Sequence, residues 1–271
     1  MLKILPRHKR IVHPLTWLTN SSGIGETISE YYPNGDVDQW YNRHYGSKKA
    51  VPEDFIWRFF VQMTQALAFI HGDIPPDHAE PGVMVHRDIK PKNVLVTYND
   101  TKYPSFKLCD FQLAMVWTTD SSDKENYIGT FEWQPPENPK INTKAADIWS
   151  LGACVQFLAT GQEPWRDGRR DRDRCWQEIQ AHLGRYARAE HFFWARLPRR
   201  IIPIDYDRTQ QLGLCATGQI YPQYSRELYD WMSACMAKER ADRPTTAVLL
   251  QDMRNVARGR LSKKAWDDME L

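Results

Sequence analysis

Eight residues, HRDIKPKN at 86–93, place six polar or charged side chains in one short segment. The preceding segment 52–71 opens with Pro52 and two acidic residues, and its apolar residues recur at helical spacing. This pattern predicts a long core helix. The apolar runs 93–96 and 106–110 follow and predict two short strands. The polar segment is therefore predicted to be a loop that follows a buried helix and precedes a strand.

The remaining segments predict a mixed architecture. Before the core helix, the sequence predicts two antiparallel strands and a short polar helix, at 11–18, 26–32 and 36–43. After the strands, the pattern becomes mostly helical, with helices predicted over 145–160, 172–190, 225–238 and 245–257. The stretch 198–222 is rich in Pro, Gly and Gln and predicts an irregular loop. Together these segments predict one α+β unit.

Composition excludes several classes of protein. Hydrophobic residues make up 42% and charged residues 26%, so the chain can bury a core and is not disordered in general. A net charge of +2 gives no reason to expect a nucleic acid or an anionic membrane as partner. The five cysteines are never spaced as C-x-x-C, which argues against a zinc site or a disulfide framework.

The sequence also bears on where the protein is found. No apolar run approaches the ~18 residues of a membrane-spanning helix. The first ten residues, MLKILPRHKR, lack the apolar stretch of a signal peptide. We therefore expect a soluble intracellular protein, cytoplasmic or nuclear, with no membrane partner and an oligomeric state that the sequence leaves open.

The loop at 86–93 carries the groups that phosphoryl transfer from a nucleotide requires. A carboxylate at Asp88 can accept or orient the proton of a substrate hydroxyl, and Lys90 can balance charge on the moving phosphoryl group. The amide of Asn93 can hold a magnesium ion. The segment resembles the H-R-D-L-x-x-x-N catalytic loop of protein kinases, with Ile89 in place of Leu.

Further motifs extend this resemblance. Asp110-Phe111-Gln112 begins 17 residues after Asn93 and resembles the magnesium-binding D-F-G motif. Four more segments follow in the family's order: GT at 129–130, PPE at 135–137, DIWSLG at 147–152 and RPT at 243–245. The chain thus resembles the eukaryotic protein kinase family, and segment 51–71 is similar to that of NIMA-related serine/threonine kinases. In that family, the arginine of the last motif pairs with the glutamate of A-P-E.

The resemblance implies a protein-kinase-like α+β fold with a mostly helical C-lobe over 33–257. Residues 1–32 would form a partial N-lobe and hinge, comprising the end of the family's helix C and its fourth and fifth strands, and 258–271 a C-terminal tail. It implies ATP and Mg²⁺ as cofactors and a protein substrate with serine or threonine hydroxyls. The implied catalytic residues are Asp88, Lys90, Asn93, Asp110 and Thr130, of which Asn93 and Asp110 would bind the metal. Lys90 favours serine/threonine specificity, and Thr130 is expected to contact Asp88 and Lys90.

The resemblance also implies a nucleotide site. Ser29 aligns with the gatekeeper position, and Glu30 to Tyr32 would offer hinge backbone groups to the adenine. Asp36 would lie near the ribose, and Leu95 under the adenine ring.

Four departures from the family pattern leave the activity open. No G-x-G-x-x-G precedes residue 30, no V-A-I-K strand is present, and the glutamate of helix C would fall before Met1. These losses remove the lid over the phosphates and the ion pair that positions them. Gln112 replaces the glycine of D-F-G, which costs about 1 kcal/mol if its φ is positive.

Three interpretations follow from these departures. The first is a serine/threonine kinase whose chain is a truncated product or an incomplete gene model. The second is a pseudokinase that serves as a binding or scaffold module. The third, a helical interaction domain unrelated to kinases, conflicts with the ordered motifs.

The activation segment 110–137 offers candidate phosphorylation sites, and Arg87 is the cation that would receive the phosphate. The candidate sites are Thr118, Thr119, Ser121, Ser122 and Tyr127.

Overall fold

A computed structural model of the chain describes residues 6–19, 25–46, 50–74, 83–98, 103–118, 128–137, 143–165, 198–214 and 220–261. These residues form, in chain order, β1 (Pro14–Thr19), β2 (Gly25–Ser29), α1 (Val37–His44), α2 (Glu53–Ile70), β3 (Met84–Val85), β4 (Val94–Thr97), β5 (Ser105–Leu108), β6 (Met115–Val116), α3 (Lys144–Thr160), α4 (Arg208–Leu214), α5 (Arg226–Cys235) and α6 (Thr246–Arg260). The mixture of helix and strand agrees with the predicted α+β class.

The chain divides into two compact units. Unit 1 contains Met1–His86, Pro91–Trp117 and Thr246–Leu271, and unit 2 contains Arg87–Lys90 and Thr118–Thr245. Among the described residues, no helix is both long and apolar enough to cross a lipid bilayer.

Helix α2 is the core of unit 1. Its residues from Phe55 to Ile70 are all buried, and it packs against β5 and α6. The rings of Phe55 and Phe59 meet the ring of Phe106 edge-on at 5.1 and 5.3 Å. The buried guanidinium of Arg58 donates from Nε and Nη2 to the Pro104 carbonyl at 3.1 and 3.0 Å. The helix therefore holds the start of β5 through both apolar and polar contacts.

The described residues of unit 1 form three antiparallel strand pairs, β1–β2, β3–β6 and β4–β5. The first strand was predicted to begin at residue 11, but β1 begins at Pro14. Residues 10–12 instead line up with β5, because Val12 donates its N–H to the Leu108 carbonyl at 2.9 Å and Leu108 donates to the Arg10 carbonyl at 2.8 Å. Residues 10–12 therefore form hydrogen bonds with β5, and pairing with β2 begins only at Pro14.

Helix α3 is the core of unit 2 and packs against α5. The Thr143 side chain caps its first turn by accepting from the Ala146 N–H. Gly152 allows close packing, because a Cβ there would lie 2.8 Å from Cγ of Met236 and 2.9 Å from Cβ of Cys235.

The helical predictions agree with the structure at α1, α2, α3, α5 and α6, although α6 continues to Arg260. The helix predicted over 172–190 lies outside the described residues. The irregular loop predicted over 198–222 is wrong in part, because it contains α4. The carboxylate of Asp207 accepts from the Gln210 N–H at 2.8 Å, and the Gln211 side chain bonds both backbone groups of Tyr221 at 3.0 Å. These polar contacts stabilise a helix without an apolar period.

Candidate active site

Three predicted catalytic residues of unit 2 form a closed set of hydrogen bonds. Lys90 Nζ donates to Asp88 Oδ2 at 2.8 Å and to Thr130 Oγ1 at 2.6 Å. Thr130 donates to Asp88 Oδ1 from its hydroxyl at 2.6 Å and from its backbone N–H at 2.9 Å. The expected contact of Thr130 with Asp88 and Lys90 is therefore present. Because the Asp88 and Lys90 side chains are only 6% and 19% exposed, their charges compensate each other where solvent screening is weak.

The backbone beside Asp88 is fixed by contacts within unit 2. Arg87 has a φ of 71°, and its N–H donates to Oδ1 of the buried Asp147 at 2.9 Å. Gly129 has a φ of 99°, and a Cβ there would meet the Arg87 carbonyl oxygen. The loop and the residue before Thr130 therefore approach so closely that only glycine fits.

The segment after Thr130 is held by two arginines. Arg199 donates from Nε to the Gln134 carbonyl and from Nη2 to the Phe131 carbonyl, both at 2.6 Å. Burial lowers the pKa of Arg199 to about 10, against the opposing effect of Glu132 and Glu137. Sequence reasoning missed Arg199, because a lone arginine in a predicted loop carries no motif.

Arg243 is the second arginine. Its Nη1 donates to Glu137 Oε1 at 2.6 Å, which is the pairing that the resemblance implied.

Asn93 and Asp110 are both in unit 1, where Asn93 directly precedes β4 and Asp110 follows β5 by two residues. The Cys109 N–H donates to the Asn93 carbonyl at 3.0 Å, so Asp110 follows immediately after a residue bonded to Asn93. Amide and carboxylate oxygens are ligands that suit Mg²⁺, so the two residue types fit this ion. The ring of Phe111 meets His86 edge-on at 4.8 Å, and His86 Nε2 bonds the Cys109 carbonyl at 3.0 Å.

The strained residue of the D-F-G-like segment is Asp110 and not Gln112. Asp110 has φ 60° and ψ 68°, in the left-handed region. Gln112 lies in a short 3-10 helix, Phe111–Leu113, and does not have a positive φ. The backbone strain that a positive φ would impose on Gln112 is therefore absent.

The predicted hinge residues are also in unit 1. Tyr32 Oη donates to Glu30 Oε2 at 3.0 Å, and burial raises the pKa of Tyr32. Asp36 caps α1 by accepting from the Gln39 N–H at 2.8 Å, and its backbone forms an antiparallel bridge with Leu95. The turn that precedes α1 is thereby joined to β4. Ser29, the predicted gatekeeper, is the last residue of β2.

Most candidate phosphorylation sites lie outside the described residues. These are Thr119, Ser121, Ser122 and Tyr127, whereas Thr118 is described and exposed. Burial lowers the pKa of Arg87, the predicted phosphate-receiving cation, and nearby Asp147 opposes that effect. Phosphorylation of this segment stays a prediction.

Comparisons with known proteins give consistent matches. Residues 1–253 match the family model described as protein kinase domain. Over 146 residues the chain is 30% identical to mitogen-activated protein kinase kinase 2 of Arabidopsis thaliana, covering 53% of this chain and 36% of that protein. Over 140 residues it is 30% identical to serine/threonine-protein kinase Nek2 of Mus musculus, covering 51% and 30%. The matched region spans about a third of the length of these relatives.

Proposed function

Because this chain belongs to the protein kinase domain family, we propose that it transfers the γ-phosphate of ATP to serine or threonine hydroxyls of a protein substrate. The family match confirms the resemblance that the motifs indicated, together with the kinase-like fold. The observation that carries the proposed activity is the hydrogen-bonded set of Asp88, Lys90 and Thr130. Such a set provides a proton acceptor and a cation in fixed relative positions.

Asp88 is the proposed acceptor of the hydroxyl proton. Two donors from Thr130 and one from Lys90 orient its carboxylate, so little reorganisation is needed when a substrate hydroxyl binds. These donors also stabilise the ionised carboxylate and so weaken it as a base. A weak base is sufficient, because the transition state of phosphoryl transfer is loose and requires mainly positioning and charge stabilisation.

Lys90 is the proposed partner of the transferring phosphoryl group. Its ammonium already bonds Asp88 and Thr130, which fixes its position without a substrate. As negative charge spreads over the phosphoryl oxygens, this cation stabilises the transition state. The Lys90–Thr130 contact supports serine/threonine specificity, as the resemblance implies.

The nucleotide would be held by residues of unit 1. Asn93 and Asp110 would bind Mg²⁺, which neutralises phosphate charge when bound. The backbone of Glu30 to Tyr32 would bind the adenine, with Leu95 against its ring and Asp36 near the ribose. The bridge between Asp36 and Leu95 supports this assignment, because it places these two residues side by side.

The proposal is tested by a phosphotransfer assay on a generic serine/threonine substrate, with Asp88→Asn as the decisive variant. We expect Asp88→Asn to lower kcat by about a hundredfold or more, since a positioned acid–base group contributes that much. Asp252→Asn, at an exposed position of α6, is the matched control and should keep full activity. Unchanged transfer by Asp88→Asn would refute the assignment.

A pseudokinase that binds partners without catalysis is the second candidate. It is favoured by one observation: Gln112 occupies the position of the glycine in the D-F-G motif. Thermal unfolding with millimolar Mg·ATP separates the two candidates. A rise in Tm that Asp110→Ala removes supports the kinase, because a ligand that binds only the folded state stabilises it. No rise in Tm and no phosphotransfer support the scaffold.

A further inference from the structure

Unit 1 contains a cavity of about 290 Å³ whose walls are rich in nitrogen-bearing side chains. Among the described residues that line it, Arg7, Lys9 and Lys107 supply three cations, and Glu30 is the one acidic residue. The Glu30 carboxylate already accepts a hydrogen bond from Tyr32. The described part of the lining therefore carries an excess of positive charge. Its volume is at the lower end of small-molecule sites and suits a small ligand.

Backbone pairing brings together the two segments that carry these cations. The parallel bridge between Ile11 and Leu108 places the loop of Arg7 and Lys9 beside the strand that carries Lys107. On the other side, Arg10 is buried and donates from Nε to Gln65 Oε1 at 3.1 Å, which anchors the loop to α2. The backbone that carries the three cations is thus anchored to β5 and to α2.

Two histidines of the same wall each accept a hydrogen bond from a backbone N–H through one ring nitrogen. His13 Nε2 accepts from the His8 N–H at 3.0 Å, and His8 Nδ1 accepts from the Arg10 N–H at 3.2 Å. When each imidazole is neutral, the proton therefore sits on its other ring nitrogen. That nitrogen of His8, Nε2, is buried and has no hydrogen-bond partner within the described part of the chain.

The surrounding cations affect both rings. Burial lowers the pKa of His8 to about 4, with further lowering by Arg10, Lys9, His13 and Lys107. Burial also lowers the pKa of His13, with contributions from Arg7 and Lys107. An anion in the cavity would oppose these effects, since it favours the charged imidazolium.

We propose that this cavity is a binding site for a doubly charged tetrahedral oxyanion, either free phosphate or sulfate or the phosphate of a phosphorylated side chain. The net positive charge of the described lining matches the two negative charges of such a ligand, and each of the three cations can bond one of its oxygen atoms. A ligand with a single carboxylate is a poorer match. Together with Glu30 it would supply two negative charges against three cations, so positive charge would remain. The proposal does not depend on the proposed kinase activity.

Sulfate is the first probe, because its charge is constant across the pH range of histidine titration. We expect sulfate to raise Tm above that in chloride of equal ionic strength, and to raise the pKa of His8 or His13 in an NMR titration. Lys107→Gln should weaken sulfate binding by about tenfold, and so should Lys9→Gln at an exposed position. A tenfold loss corresponds to one charged hydrogen bond. Arg254→Gln, on an exposed position of α6, is the matched control and should bind as the unaltered chain does.

The outcomes separate this cavity from the proposed catalytic residues. If Lys90→Gln abolishes the sulfate effect and Lys9→Gln and Lys107→Gln do not, the proposal is overturned. Equal Tm values and equal histidine titrations in sulfate and chloride would overturn it as well. A short phosphoserine peptide and its serine counterpart then distinguish the sources. Binding of the phosphopeptide alone identifies a phosphorylated side chain as the ligand, whereas binding of free phosphate alone identifies the free ion.

Discussion

Arg243 and Glu137 are 106 positions apart in sequence, and Arg243 Nη1 donates to Glu137 Oε1 across 2.6 Å. The arginine side chain is fully buried and the glutamate is 16% exposed. Nε and Nη2 of Arg243 donate to the carbonyls of Ala237 and Lys238 at 2.9 and 3.1 Å. One guanidinium thus joins the segment after Thr130 to the loop that follows α5.

Removing Arg243 should destabilise the protein strongly. Arg243→Met leaves a largely buried carboxylate and three carbonyls, those of Ala237, Lys238 and Ala145, without this donor. Breaking a buried ion pair in this way costs about 3–5 kcal/mol. Urea denaturation measures the loss. Arg226→Gln is the control, because Arg226 pairs with Asp205 and Asp230 at the surface and should contribute little to the free energy of unfolding. Similar losses in the two variants would contradict the prediction.

Thr130 should act as a positioning residue for the proposed phosphotransfer. Thr130→Ala removes the hydroxyl that bridges Asp88 and Lys90, and misplacement of catalytic groups by about 1 Å can cost a hundredfold in rate. We expect a fall in kcat with little change in the KM for ATP. Thr130→Ser keeps the hydroxyl and should restore most of kcat. A serine variant as slow as the alanine variant would show that the hydroxyl is not what matters.

The sequence could predict the contacts that motifs encode, and it missed those that depend on long-range backbone pairing. The contacts of Thr130 were predicted because these residue types recur at fixed spacing in a known family. The start of β1 was misplaced because residues 10–12 pair with Leu108, almost a hundred positions away. Helix α4 was missed because Gln211 holds it by bonds to Tyr221, and no apolar period marks such contacts. The metal and nucleotide roles stay predictions.

Gly152 should be intolerant of any side chain. An added Cβ would lie 2.8 Å from Cγ of Met236 and 3.0 Å from the Met232 carbonyl oxygen, in a fully buried contact of α3 with α5. Overpacking of this kind typically costs 1–3 kcal/mol, so Gly152→Ala should lower Tm. Gly213→Ala is the matched control, because Gly213 is also helical but a Cβ there meets nothing within 4 Å. Helix propensity alone should make that variant neutral or slightly more stable. Equal Tm values for the two variants would mean that the α3–α5 contact can relax.

His8 should make stability depend on pH between about 4 and 6.5. Its pKa is lowered to about 4 in the folded protein, by burial and by neighbouring cations, from an ordinary value of 6.5. Between these values the unfolded chain binds more protons than the folded one, so stability falls as pH falls, by at most about 1.4 kcal/mol per pH unit. One face of the ring also stacks on Phe69, with 4.4 Å between the ring centroids.

The variant His8→Gln isolates this contribution, because glutamine does not titrate. The free energy of unfolding, measured in urea at pH 7.5 and pH 5, should fall less for His8→Gln than for the unaltered chain. The absolute stability of the variant is lower at pH 7.5, since the stacking on Phe69 is lost. The comparison therefore uses the slope with pH, which a purely structural role of His8 would not change. Parallel slopes would show that His8 is protonated equally in the folded and unfolded states.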